Sequence, residues 1–250
     1  MWADHLIHQL AWKILHPKPQ PPPAGRGPSW TWASVDGAVE SPYWDANPWI
    51  DSTTLLAHVV DAATTAVDGD DFGYVSGGTV RLYGSLSALQ LCGPYEPQNP
   101  KETGLEGVSI FWDTQELAER YGETKDCRWA VSPRRKTPNT LVRKHETYES
   151  SFEMQREELG SKDIFYMPLR MMGEDPDVSY DISLIGLLLT PTGKGKGQFR
   201  RIGQAEAYEQ ELKRSEILQL FARLKYSSAI LHSDYFVESD GDCQFFIDVV

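Results

Sequence analysis

Four tryptophans, Trp30, Trp32, Trp44 and Trp49, fall close together in the chain. Indoles at this density can line a pocket for an apolar ligand, or they can plug one end of a β core. Trp30 and Trp32 are two apart, so a strand here places both on one face. Core packing is the weightier reading, because large aromatics are highly buried on average. Groups able to move a proton occur among and after them: Asp36, His58, Tyr83 and Arg200. A shaped aromatic pocket with one or two such groups suffices for a cofactor-free cyclisation or isomerisation. On an enzymatic reading, Asp36, His58, Tyr83 and Arg200 are the candidate catalytic residues. Trp30, Trp32, Trp44 and Trp49 are then the candidate ligand-binding residues.

Other chemistries fail on spacing. The run Gly193-Lys194-Gly195-Lys196-Gly197 lacks the G-K-[ST] of a phosphate loop and is expected to lead into a strand rather than a helix, so it reads as a hairpin tip. Asp68-Gly69-Asp70-Asp71 does not continue as a calcium loop, since Phe72 and Thr79 stand where ligands are needed. It reads as a turn, as does Asp240-Gly241-Asp242. His5 and His8 share a helix face without further zinc ligands at the usual spacing, and read as solvent-side residues. His58 reads as a semi-buried strand residue. No metal and no cofactor is expected. Cys92, Cys127 and Cys243 are scattered and odd in number, which fits free thiols in a reducing compartment.

The net charge of −12 repels phosphates, so nucleic acid and anionic membranes are poor partners. Arg134-Arg135-Lys136 and Lys194-x-Lys196 are local basic clusters and read as solvated loops. The longest apolar run, 182–189, is too short to span a bilayer, and residues 1–15 lack the features of a signal peptide. A cytoplasmic protein is expected. With 40% hydrophobic residues and 8 Trp, 11 Tyr and 9 Phe, the chain can bury a sizeable core.

These side chains need elements to hold them. Trp2, Leu6, Leu10 and Ile14, with Ile7 beside them, form one apolar stripe, which predicts a helix over 2–15 ended by Pro17. The prolines of 17–23 predict an extended polyproline spacer, with a ligand role for SH3 or WW domains the lesser reading. From residue 28 the signals are mostly β. Strands are expected at 53–60, 79–86, 108–112 and 164–169. The unbroken apolar run 182–189 predicts a strand buried on both faces, paired as a hairpin with 198–202. A last strand over 243–250 carries Cys243, Phe245, Ile247 and Val249 on one face. Helices are expected at 114–121, capped by Asp113 or Thr114, and at 206–225, where Ile217, Phe221 and Leu224 share a side. Residues 123–160 read as a polar surface excursion with one helix near 148–159.

The predicted fold is α+β and mainly β: an antiparallel sandwich or partly open barrel with a few flanking helices. Its parts are an N-terminal helix (1–16), a proline-rich linker (17–27) and a single β-rich domain (28–250).

Several segments resemble, in order, landmarks of fungal heterokaryon-incompatibility proteins in the region C-terminal to their HET domain. Pro28-Ser29-Trp30-Thr31-Trp32-Ala33-Ser34-Val35-Asp36-Gly37 matches the P-S-W-S-W-A-S-x-D-G signature, with Thr31 in place of Ser. Trp2, Leu6, Gln9, Leu10 and Trp12 resemble the end of the HET module. Asp71-Phe72-Gly73-Tyr74-Val75 and Gly78-x-Val80-x-Leu82-x-Gly84 resemble the next stretch. Gly186-Leu187-Leu188-Leu189-x-Pro191-Thr192 and Phe199-Arg200-Arg201-Ile202-Gly203 resemble the late hairpin, and 236–250 the terminal strand. The chain starts where that module ends, so the resemblance implies that the effector lobe and its residues are missing.

What remains implies a non-catalytic module in fungal self/non-self recognition. It would bind a protein partner, or self-associate, through the 2–14 helix. The alternative is a cyclase or isomerase of fungal secondary metabolism that takes an apolar small molecule.

Overall fold

The computed structural model describes residues 2–17, 27–40, 53–67, 75–94, 105–121, 128–133, 164–172, 183–208, 238–239 and 244–250. In chain order, helix α1 (Trp2–Gln9) leads into β1 (Lys13–Ile14). A single 3-10 turn (Trp32–Ser34) precedes β2 (Val39–Glu40). Then come β3 (Thr53–Leu55), β4 (Ala57–Ala66), β5 (Val75–Ser85), β6 (Ser87–Pro94) and β7 (Leu105–Trp112). Helix α2 (Gln115–Tyr121) follows, then β8 (Arg128–Pro133), β9 (Ile164–Met172), β10 (Ser183–Pro191) and β11 (Gln198–Tyr208). The chain closes with β12 (Glu238–Ser239) and β13 (Gln244–Val249). The protein is mainly β with two short helices among the described residues, as its alternation patterns predict.

Among the described residues, β1 and β2 form a two-stranded sheet, and the other strands form one mixed sheet of eleven, ordered β10-β9-β6-β8-β7-β11-β13-β5-β4, with β3 on β9, β12 on β13 and β10 also paired with β11. It is not closed into a barrel. β9 and β11 each change neighbour partway along. β9 pairs with β6 through Tyr166, Phe165 and Ile164, and with β3 through Met172, Met171 and Arg170. β11 pairs in parallel with β13 at Gln198 and Phe199, and antiparallel with β7 from Gly203 to Ala207. These exchanges let one sheet wrap two apolar clusters. Val108, Ile110, Trp112, Leu184, Leu188 and Ala205 belong to one, and Leu6, Leu10, Trp30, Val80, Leu187 and Ile247 to the other.

β10 runs between the two clusters. Side chains alternate across a strand, so Leu184 and Leu188 serve one cluster while Ile185, Leu187 and Leu189 serve the other. That is why 184–189 carries no polar side chain. Gly186, inside this run, has a reason: a Cβ there would stand 2.6 Å from the Tyr166 ring and collide with the Met167 carbonyl. The β10–β11 hairpin turns at 193–197, where Gly193 (φ 71°) and Gly197 (φ 69°) take left-handed backbone. On β13, Phe245, Ile247 and Val249 are buried in alternation; Cys243 lies outside the described residues.

Three expectations change. α1 stops at Gln9, and the chain then extends through Trp12 into β1, which pairs with β2. Residues 206–208 belong to β11, not to a helix; Ile217, Phe221 and Leu224 lie outside the described residues. The excursion at 123–160 contains β8, and its proposed helix at 148–159 lies outside them too. At α2, Thr114 is the cap: its Oγ1 accepts the Leu117 N–H at 3.3 Å, leaving Asp113 for another role.

Candidate functional site

The signature segment folds as a turn rather than a strand. The Thr31 N–H and hydroxyl both donate to the Pro28 carbonyl, each at 3.0 Å. The Ser34 hydroxyl and N–H both donate to the Thr31 carbonyl, at 2.7 and 3.1 Å. A turn does not keep residues two apart on one side, so the tryptophans diverge. Trp30 is 6% exposed, inside the second cluster, whereas Trp32 is 64% exposed. The expectation that both share a face is therefore corrected.

Behind the turn lies a buried polar joint. Arg201 on β11 is fully buried, and its guanidinium is ion-paired with Asp113: Nε donates to Oδ2 at 3.0 Å and Nη2 to Oδ1 at 3.3 Å. Nη1 donates to the Leu10 carbonyl at 2.7 Å, and Nη2 also donates to the Trp12 carbonyl. The guanidinium carbon lies 3.2 Å from the centre of the Trp12 ring. Trp12 Nε1–H donates in turn to the Trp30 carbonyl at 3.1 Å. Ser29 completes the joint: its hydroxyl oxygen accepts the Arg201 N–H at 3.2 Å and donates to the Val250 carbonyl. Burial pushes the Asp113 carboxyl up while the Arg201 charge pulls it back. The joint thus gathers the N-terminal segment, the signature, the β11 strand and the last residue of the chain.

Two further buried charges meet the same N-terminal segment. Lys13 Nζ donates to Glu206 Oε2 at 3.1 Å and lies 4.6 Å from the Phe111 ring centre. Gln204 Nε2 donates to Glu206 Oε1 at 2.8 Å. Burial, and next the Glu206 charge, drive the Tyr166 hydroxyl far above its usual range. On α1, His8 Nδ1 lies 3.3 Å from Arg170 Nη1, and Arg170 is buried. His8 therefore turns toward the body, which corrects its solvent-side reading, while His5 is exposed. Burial first, then the Arg170 charge, then His5 lower the His8 pKa.

Of the catalytic candidates, the structure brings two together. His58 and Tyr83 are direct cross-strand partners on β4 and β5, with ring centres 6.4 Å apart. Tyr83 also meets Phe246 of β13 at 4.8 Å, and Arg81 lies 5.6 Å from the Phe246 ring. His58 is exposed, not semi-buried, so this is an open sheet face. Asp36 follows the signature turn, partly exposed; Arg200 is exposed beside Arg201 on β11. Trp44 and Trp49 lie outside the described residues.

The 2–14 stripe is also resolved: Leu6, Ile7, Leu10 and Ile14 are all buried against the chain's own body. It is not an exposed contact surface. Exposed large apolar side chains stand instead at Leu15, Trp32 and Val39, around the β1–β2 pair and the signature turn, at Val60 on β4 and at Val67 just after it.

Sequence reasoning missed Arg201, Asp113, Glu206 and Arg170. One signal was present: Arg200 and Arg201 are adjacent in a strand, and alternation must send one of them inward. Among the described residues no group of three or more His, Cys, Asp or Glu could hold a metal ion. No helix of the described residues is long and apolar enough to cross a membrane. No family model, no curated protein and no solved structure matches this chain.

Proposed function

We propose that this chain is a non-catalytic recognition module of the fungal heterokaryon-incompatibility kind, working in the cytoplasm by binding a protein partner. The observation that carries the reading is the division of labour inside the signature. Trp30 is the buried anchor, and Trp32 is displayed to solvent on a turn fixed by Thr31 and Ser34. Leaving an indole in water forgoes a large burial gain, and rigidly held aromatics are the residues that dominate protein interfaces. Leu15, just after β1, and Val39 on β2 are also exposed and add apolar surface.

The catalytic alternative has less support. Its best-placed pair, His58 and Tyr83, sits on an open face with His58 exposed, where water is not excluded. The experiment replaces Trp32 with photoreactive p-benzoylphenylalanine in the producing cells. A covalent adduct to one protein, competed by unmodified chain, is the expected result. Absence of any adduct, together with small-molecule turnover lost in Tyr83→Phe, would overturn the reading in favour of an enzyme.

A further inference from the structure

We infer that two copies of this chain pair edge to edge through β4, antiparallel, with Ala63 facing its own counterpart, so that one sheet continues into the other. The inference goes beyond the Trp32 reading and does not depend on it.

The first observation is the edge itself. β4 ends the strand order, and among the described residues it pairs with β5 alone. A strand paired on one side keeps a row of backbone donors and acceptors on the other, which is a template for a further strand. Asp61, Ala63 and Thr65 are exposed on one face of β4 and Thr64 on the other. Packing therefore closes neither face of this stretch.

The second observation is what the edge lacks. Proteins blunt such edges with lysine or proline. The chain has 24 Lys and Arg and 16 Pro, yet β4 reads Ala-His-Val-Val-Asp-Ala-Ala-Thr-Thr-Ala and holds none of them. Bulges also blunt edges, and β4 has register shifts at Val59/Asp61 and Thr65/Ala66. Between them the ladder is regular, from Asp61 opposite Arg81 to Thr65 opposite Gly77. The shifts thus set which residues a new strand can meet.

The third observation, symmetry, selects a second copy as the occupant. A two-fold axis between antiparallel strands passes through a facing pair, so one residue must meet itself. Centred on Ala63, the regular stretch pairs with itself over its whole length. Ala63 meets Ala63, Ala62 meets Thr64 and Asp61 meets Thr65. The residue at the axis is small and uncharged, and the Thr65 hydroxyl can donate to the Asp61 carboxylate across the junction. The two Asp61 carboxylates stand four residues apart, roughly 14 Å along the strands, beyond the Debye length of about 8 Å. An axis at Asp61 would oppose two carboxylates, and an axis at any other residue shortens the regular ladder.

So short a ladder buries little area, so the dimer should be weak and concentration-dependent. Sedimentation equilibrium of the full chain should show the mass rising from that of one chain toward that of two as concentration increases. Ala63→Lys sets two ammonium groups face to face and should hold the chain as a monomer. Facing Cα atoms of an antiparallel pair lie about 4.5–5.5 Å apart, within disulfide reach. Ala63→Cys should therefore oxidise to a linked dimer at a several-fold higher yield than Asp61→Cys or Thr65→Cys alone, while those two variants, mixed, should link to each other. The native cysteines are common to every arm. A monomer at every concentration overturns the inference, as does a dimer unaffected by Ala63→Lys, or equal cross-linking by the three single variants. So does a chain monomeric by itself whose Ala63→Lys variant loses capture of the partner cross-linked at position 32, which gives the edge to that partner. The cysteine arm decides the matter where Ala63→Lys fails to fold.

Discussion

The guanidinium of Arg201 stacks on the Trp12 ring, 3.2 Å from its centre, while the same group binds the Trp12 carbonyl and the Asp113 carboxylate. One fully buried cation thus fastens the start of the chain to the strand that also holds its end. The fold depends on this joint in ways that can be measured.

Asp113 is the only acidic partner of Arg201 among the described ion pairs. Asp113→Ala leaves a buried, uncompensated guanidinium and is expected to lower unfolding stability by about 3–5 kcal/mol. Replacing both partners, Asp113→Leu with Arg201→Met, removes the stranded charge along with the pair. Chemical denaturation should show the double variant losing much less than the two single losses combined.

Ser29 bridges the Arg201 N–H and the Val250 carbonyl through one hydroxyl. Ser29→Ala strands both groups and is expected to cost about 1–3 kcal/mol. Deleting Val250 removes one of the same bonds, so its effect combined with Ser29→Ala should fall short of additive. Full additivity in denaturant midpoints would show that the bridge is not shared.

His8 supplies a pH dependence of known sign. Its pKa in the folded protein lies below the usual 6.5, through burial first and Arg170 second. Between the folded pKa and 6.5 the unfolded chain binds more protons than the folded one, so stability rises with pH across that window and is flat above it. The difference in stability between wild type and His8→Gln should follow this curve. A difference that does not vary between pH 5 and pH 7 contradicts the half-buried, neutral imidazole.

How much of this could be read from residues alone depends on what each pattern encodes. β10 was legible because Ile185 to Leu189 must satisfy two clusters at once, which leaves no polar position. The hairpin tip was legible because Gly193 and Gly197 mark left-handed backbone. The signature turn was not. Spacing puts Trp30 and Trp32 on one side only if the segment is extended, and local bonds to the Pro28 and Thr31 carbonyls bend it instead. Nor was the end of β11: Gln204-Ala205-Glu206-Ala207 alternates, but in good helix formers, and burial of Glu206 against Lys13 is a long-range fact. The Arg201 joint joins residues more than eighty positions apart, so no local pattern announces it.

The central claim is that one signature tryptophan builds the fold and the other meets a partner, and paired alanine variants test it most directly. Trp30→Ala empties a buried site and should lower stability by about 3–5 kcal/mol. Trp32→Ala should leave the thermal melt within the small range of surface changes while abolishing capture of the partner identified by cross-linking at position 32. Capture undiminished by Trp32→Ala, or a melt that falls as far as that of Trp30→Ala, would contradict the account.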